Sequence, residues 1–113
     1  MAKPWPVQSK TANVVLTINL LRLIPETLLP PLFQNARSAL CDDGLFIIYG
    51  PFLRGSDYAS DGDREFDASL QEHDPCIGYK SADMVRSIAA DNGFTLEATD
   101  HMPAINLLLT FHV

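Results

Sequence analysis

Apolar residues along this chain fall into four short runs, separated by polar, proline-marked and helix-patterned stretches. The first run, Asn13-Val14-Val15-Leu16-Thr17-Ile18, is β-branched and apolar on both faces, which predicts a buried parallel strand. Met1 to Ala12, with two prolines, reads as a lead-in to a single domain over residues 13–113. Asn19 ends the strand, and Leu20 to Ile24 form an apolar turn closed by Pro25. Pro30-Pro31 fits only the first turn of a helix, so regular helix is expected at about Pro31 to Leu40. Leu32, Phe33, Ala36, Ala39 and Leu40 then share its buried side.

Asp42-Asp43-Gly44 ends that connection, and Leu45-Phe46-Ile47-Ile48-Tyr49 predicts a second buried strand, stopped by Gly50-Pro51-Phe52. Leu53 to Asp63 is a polar loop, and Glu65 to Glu72 predicts a short helix with Phe66 and Leu70 on one face. After the break at Asp74-Pro75, Ser81 is a plausible N-cap for a helix that turns Met84, Val85, Ile88 and Ala89 toward a core. Asn92-Gly93 ends it. Phe94 to Thr99 and Ile105 to His112 are two strands joined across His101 to Ala104, near enough in sequence to pair antiparallel. The order predicts an α/β domain of about four strands: a parallel pair with a helical crossover, completed by an antiparallel hairpin, with two to three helices.

Composition narrows the function classes. The 113 residues carry 8 Lys+Arg against 14 Asp+Glu, a net charge of −6 that argues against sequence-independent nucleic-acid binding. Cys41 and Cys76 are too few for a disulfide scaffold and read as free thiols in a reducing compartment. No apolar run reaches the roughly 20 residues that span a bilayer, and the start lacks a signal-peptide core, so a cytoplasmic protein without a membrane partner is expected. The first glycine is Gly44, and the later ones never fall into a nucleotide- or phosphate-loop spacing.

Several motifs, in order and spacing, bring the chain to a family. These are Trp5-Pro6, Asn19 with Pro25, Gly50-Pro51-Phe52, Phe66-Asp67-Ala68-Ser69-Leu70, Asp74-Pro75 and Gly78, then Met102-Pro103-Ala104 and Asn106-Leu107-Leu108-Leu109. From about Trp5 to the end, the sequence resembles the C-terminal half of a class I S-adenosylmethionine (SAM)-dependent methyltransferase. More narrowly, it is similar to the methyltransferase-like family that includes methyltransferase-like 26. The resemblance implies a truncated Rossmann-like sheet: strands 4, 5, 6 and 7 of the order 3-2-1-4-5-7-6, with strand 7 antiparallel. It also implies that strands 1 to 3, the glycine-rich loop and the acidic residue that bind the cofactor are absent. The isolated chain is then expected to hold no cofactor, and SAM only beside a complementary N-terminal half. Four positions depart from the family pattern: Arg22 replaces a histidine, Glu26 an aromatic, Ile77 a tryptophan and Ile105 an asparagine.

Candidate chemistry is sparse. Asn19, Tyr49, Gly50 and Phe52 lie at the carboxyl ends of predicted strands, where open α/β sheets place ligands, and Met102 and Asn106 could reach the same region. Asn19 can equally be a turn residue serving local backbone, Gly50 to Phe52 a sharp strand exit, and Asn106 a solvent-facing strand residue. Asp61, Asp63, Glu65 and Glu72 match four positions of a calcium loop, but Phe66 stands where its glycine is required, which favours acidic residues near a helix N-terminus. The three histidines show no zinc spacing, so no metal is expected. Strand 13–18, central in the full fold, is left with an exposed edge. A homodimer burying Val14, Val15, Leu16, Leu20 and Leu21 is therefore expected. Two other readings stay open: a split methyltransferase, and a dimer forming a small-molecule pocket near Phe52, Met102 and Asn106.

Overall fold

The computed structural model describes residues 5–6, 9–54, 57–102 and 106–113. The expected turn residues Pro103 and Ala104, the expected strand start Ile105, and Gly55 and Ser56 of the polar loop lie outside these. Strand β1 (Ala12–Ile18) leads through two single 3-10 turns, Leu21–Leu23 and Glu26–Leu28, into helix α1 (Leu29–Ala39). Then follow β2 (Leu40–Gly50), α2 (Asp61–His73), α3 (Ala82–Asp91), β3 (Thr95–His101) and β4 (Leu107–His112). Among the described residues the strands form one sheet ordered β1-β2-β4-β3. β1 and β2 are parallel, and β4 runs antiparallel to both β2 and β3. This is the order that the resemblance implies for strands 4-5-7-6. No helix among the described residues is long and apolar enough to cross a membrane.

The core lies on one face of the sheet, under α1 and α3. Phe46 and Ile48 of β2 and Leu107, Leu109 and Phe111 of β4 alternate toward it and are fully buried. Phe33 of α1 stands at its centre, with its ring 5.1 Å from Phe46, 5.9 Å from Phe94 and 6.0 Å from Phe111, all edge to face. Val85 and Ala89 close the cluster from α3, with Met84 and Ile88 only partly buried against it. The opposite face holds the alternate residues, of which Val14, Leu16 and Ile18 of β1 are each more than half exposed.

Several boundaries differ from the expectations, each for a local reason. α1 begins at Leu29 instead of Pro31, because both prolines fit its first turn, where N–H groups have no intrahelical partner. Leu40 is not helical; it is the first residue of β2 and pairs with Ala12. Asp42-Asp43-Gly44 is not a separate connection either. The register steps from Ala12↔Leu40 to Val14↔Leu45, so Cys41 to Gly44 bulge out of a strand already begun. α2 starts at Asp61, four residues before the expected Glu65, because the Ser60 side chain accepts the Asp63 N–H at 3.1 Å.

Burial corrects two further expectations, and capping a third. β1 is parallel but is not buried on both faces: Val14, Leu16 and Ile18 are 51%, 54% and 61% exposed, and only Thr17 is buried. The buried residue of α2 is Asp67, while Phe66 is exposed. Ser81 occupies the N-cap position of α3 but makes no side-chain capping bond.

Candidate functional site

At the carboxyl ends of β1 and β2 the chain leaves the sheet through two unlike turns. Asn19 takes a left-handed backbone, φ 55°, which asparagine tolerates better than most residues, and its N–H donates to the Tyr49 carbonyl at 2.8 Å. Gly50 lies opposite; a Cβ there would stand 3.6 Å from Asn19 Oδ1. From β2 the chain turns at Pro51, and from beyond β3 Asn106 donates Nδ2–H to the Tyr49 hydroxyl at 3.0 Å. Asn19, Pro51 and Asn106 thereby line one cleft of about 330 Å³ with Arg22, Asp63, Phe66 and Tyr79.

Four of the six candidates are thus gathered, and two are not. Asn19 and Asn106 line the cleft, Tyr49 is held by Asn106, and Gly50 abuts Asn19. Phe52 is 3% exposed and belongs to the apolar core, as the sharp strand exit requires. Met102 does not line this cleft; its N–H donates to the Asn106 carbonyl at 2.8 Å and so fixes the asparagine's backbone. Of the expected interface residues, Leu21 is 4% exposed and packs in the core, which removes it from any surface.

Arg22, Asp63, Phe66 and Tyr79 form the wall that the candidate list omits. The Arg22 guanidinium carbon sits 4.8 Å above the Phe66 ring centre, a stacked cation–π contact, while Arg22 Nε is buried without a hydrogen-bond partner among the described residues. Tyr79 donates its hydroxyl to Asp63 Oδ1 at 2.8 Å, and Ser60 Oγ donates to Asp63 Oδ2 at 2.9 Å. Burial and that bond to Asp63 push the Tyr79 phenol well above its ordinary value, so it stays protonated at neutral pH. Both Asp63 oxygens are thus engaged, and Tyr79 is held as a donor. Two carboxamides and two aromatic rings line the cleft.

The sequence signal for this wall is faint. Phe66 is a large apolar residue on a polar helix, and Arg22 a lone cation in an apolar turn. Tyr79 has no local signature at all. The acidic run resolves as Asp61 and Asp63 in the first turn of α2, where the helix dipole favours them.

The SAM cradle of a methyltransferase needs a glycine-rich strand-to-helix turn. The turn from β1 to α1 contains no glycine, and Gly50 is followed by Pro51, which lacks the N–H such a loop presents. Neither of these two strand exits supplies that turn.

Solved structures similar to this chain share its fold across nearly all its length. An O-methyltransferase family 2 protein from Planctomyces limnophilus, solved in complex with apigenin, superposes with TM-score 0.80 at 18% identity, covering 97% of this chain and 31% of that one. A variant of LepI, solved with SAH and a substrate analogue, gives TM-score 0.80 at 19% identity, with 99% and 28% covered. A protein described as a pericyclic reaction enzyme matches at TM-score 0.80 and 19% identity, again with 99% and 28% covered. The chain spans about a third or less of each relative. It has the fold of part of a methyltransferase, and the third match shows that this fold is not tied to one chemistry. The family described as protein of unknown function (DUF938) matches residues 1–113, and the chain belongs to that family.

Proposed function

We propose that this chain is a methyltransferase-like half-domain without catalysis of its own, and that it self-associates through β1. The kinship is read as that of the methyltransferase-like 26 family, on the motifs quoted above. One observation carries the reading: β1 hydrogen-bonds only to β2 among the described residues, and its outer face presents Val14, Leu16 and Ile18, each more than half exposed. Next to them lie Leu45, Ile47 and Tyr49 of β2, in register with Val14, Leu16 and Ile18 and only partly buried. An unpaired edge beside an apolar face is what strand addition covers. Two β1 strands meeting antiparallel about a two-fold axis would join two sheets into one of eight strands, with Val15 and Leu20 at the seam.

Sedimentation velocity at micromolar concentration tests this. The expected species is a dimer, and Leu16→Lys, which places a charge at the seam, returns it to monomer. A folded monomer throughout that range overturns the proposal.

A second reading rests on the cleft. Asn19 and Asn106 stand where open α/β sheets bind ligands, which favours the chain as one part of a split SAM-dependent methyltransferase. Calorimetric titration distinguishes the two: SAM heat appears only when a chain bearing the glycine-rich loop is added, and its absence from the mixture rejects the split enzyme.

A further inference from the structure

Lys80 is a buried cation that neither reading uses. It is 6% exposed and ends a strap, Ile77 to Lys80, that is anchored on both sides. The Gly78 N–H donates to the Arg22 carbonyl at 3.0 Å, and the Tyr79 N–H to Asp67 Oδ1 at 3.0 Å. Lys80 Nζ donates to the Gly78 carbonyl at 2.5 Å, and no carboxylate pairs with it within 4.0 Å among the described residues. An ammonium has three N–H bonds to place, and one acceptor is present. Beside it opens a cavity of about 190 Å³ walled by Glu26, Gln71, Cys76 and Tyr79.

Two chemistries suit a buried lysine next to a cavity: pairing with an anion, or covalent capture of a carbonyl group. Local charge decides between them. Glu26 lines the cavity and Asp67 lies buried behind the strap, so an anion entering here would meet a carboxylate beside the one cation. A neutral molecule meets no such barrier. Burial holds the Lys80 amine below its ordinary value, with Glu26 and Asp67 opposing, and so enlarges the share of free, nucleophilic amine.

We propose that Lys80 is an imine-forming site for a small neutral aldehyde or ketone held in the cavity walled by Glu26, Gln71, Cys76 and Tyr79. The nitrogen lone pair adds to the carbonyl carbon, and the carbonyl π pair moves to oxygen, which takes a proton. The nitrogen loses one proton to give the neutral carbinolamine. Its hydroxyl then takes a second proton and leaves as water while the nitrogen lone pair forms the C=N bond, and loss of the last N–H proton gives the imine. Amine and carbonyl compound give imine and water, with no oxidant or reductant consumed. Glu26, on the cavity wall, is the carboxylate at hand for the proton transfers.

The chain supplies its own control, because it has three lysines, Lys3, Lys10 and Lys80, and the Lys10 side chain is 69% exposed. The intact chain is incubated at pH 7 with propanal and cyanoborohydride, which reduces any imine to a stable secondary amine. Peptide mapping by mass spectrometry then reads the propyl adduct at each lysine. Lys80 is expected to label several-fold faster than Lys10, because burial leaves more of its amine free. That preference is expected to vanish in denaturing urea, and anionic glyoxylate should label Lys80 more slowly than propanal. Equal or faster labelling of Lys10 in the folded chain overturns the site. Glyoxylate outpacing propanal at Lys80 overturns the neutral-ligand assignment.

Discussion

At the scale of single residues, the interior is apolar among the described residues except at three positions: Thr17, Asp67 and Lys80. Their fates differ. Asp67 is 1% exposed yet satisfied: it accepts from the Tyr58 hydroxyl, from Gln71 Nε2 at 3.2 Å and from the Tyr79 N–H at 3.0 Å. Gly78 makes this possible, since a Cβ there would fall 2.7 Å from Asp67 Oδ1 and its φ of +143° disfavours side chains. Thr17 has no such support. It is 7% exposed on the core side of β1, and its Oγ1 finds no partner among the described residues. A buried hydroxyl without a partner has lost its water and gained nothing in return. Thr17→Val keeps the shape and removes the orphan oxygen, so it should stabilise the fold by about 1 kcal/mol. Chemical denaturation midpoints of the two proteins measure that difference; a less stable Thr17→Val protein would mean that the hydroxyl is bonded in solution.

At the scale of elements, α2 differs from α1 and α3 in how it is held. The other two helices bury leucine, phenylalanine, valine and alanine, whereas the buried residue of α2 is a carboxylate. Hydrogen bonds therefore dock it, through Tyr58 and Tyr79 to Asp67 and Asp63. Tyr58 is raised above its ordinary phenol value chiefly by its bond to Asp67, and Tyr79 chiefly by burial. A raised phenol means that the folded state keeps its proton where the unfolded chain loses it. The stabilisation is thus fully present below pH 10 and is lost as pH rises through the folded values. Lys80, lowered in the fold, acts in the opposite sense and has finished by its ordinary value of 10.5. Stability should therefore fall above that pH, and less steeply in Tyr79→Phe, with circular dichroism melting across pH 9 to 12 as the readout. Identical alkaline slopes would show that Tyr79 does not hold α2.

The same contrast explains what the sequence disclosed. Elements built on apolar periodicity were legible: the Phe33 face of α1, the two parallel strands and the C-terminal hairpin all follow from side-chain spacing. The wall formed by Arg22, Asp63, Phe66 and Tyr79 was not, because contacts between residues distant in sequence, Tyr79 with Asp63 and Arg22 with Phe66, leave no period along the chain. The bulge from Cys41 to Gly44 was missed because Asp-Asp-Gly is strong turn chemistry, and pairing of Leu40 with Ala12 overrode it.

At the scale of the molecule, the sheet has one finished face and one open one. The finished face carries the phenylalanine cluster under α1 and α3. The open face carries Val14, Leu16 and Ile18 in register with Leu45, Ile47 and Tyr49, and Leu108 lies opposite Tyr49 across the next pair. Apolar surface of this kind stabilises the fold only when something leaves water with it. If that something is a second copy, folding and association are linked, and the melting temperature must rise with the chain's own concentration. A tenfold increase in concentration should then shift the melting midpoint upward measurably, while Leu16→Lys, with its seam charged, should melt at one temperature whatever its concentration. A complementary chain predicts the other outcome: no dependence on self-concentration, and a rise only when that chain is added. Calorimetric scans over a hundredfold concentration range separate the two. A midpoint that stays fixed across that range, in the wild-type chain alone, removes self-association as the cover for this face.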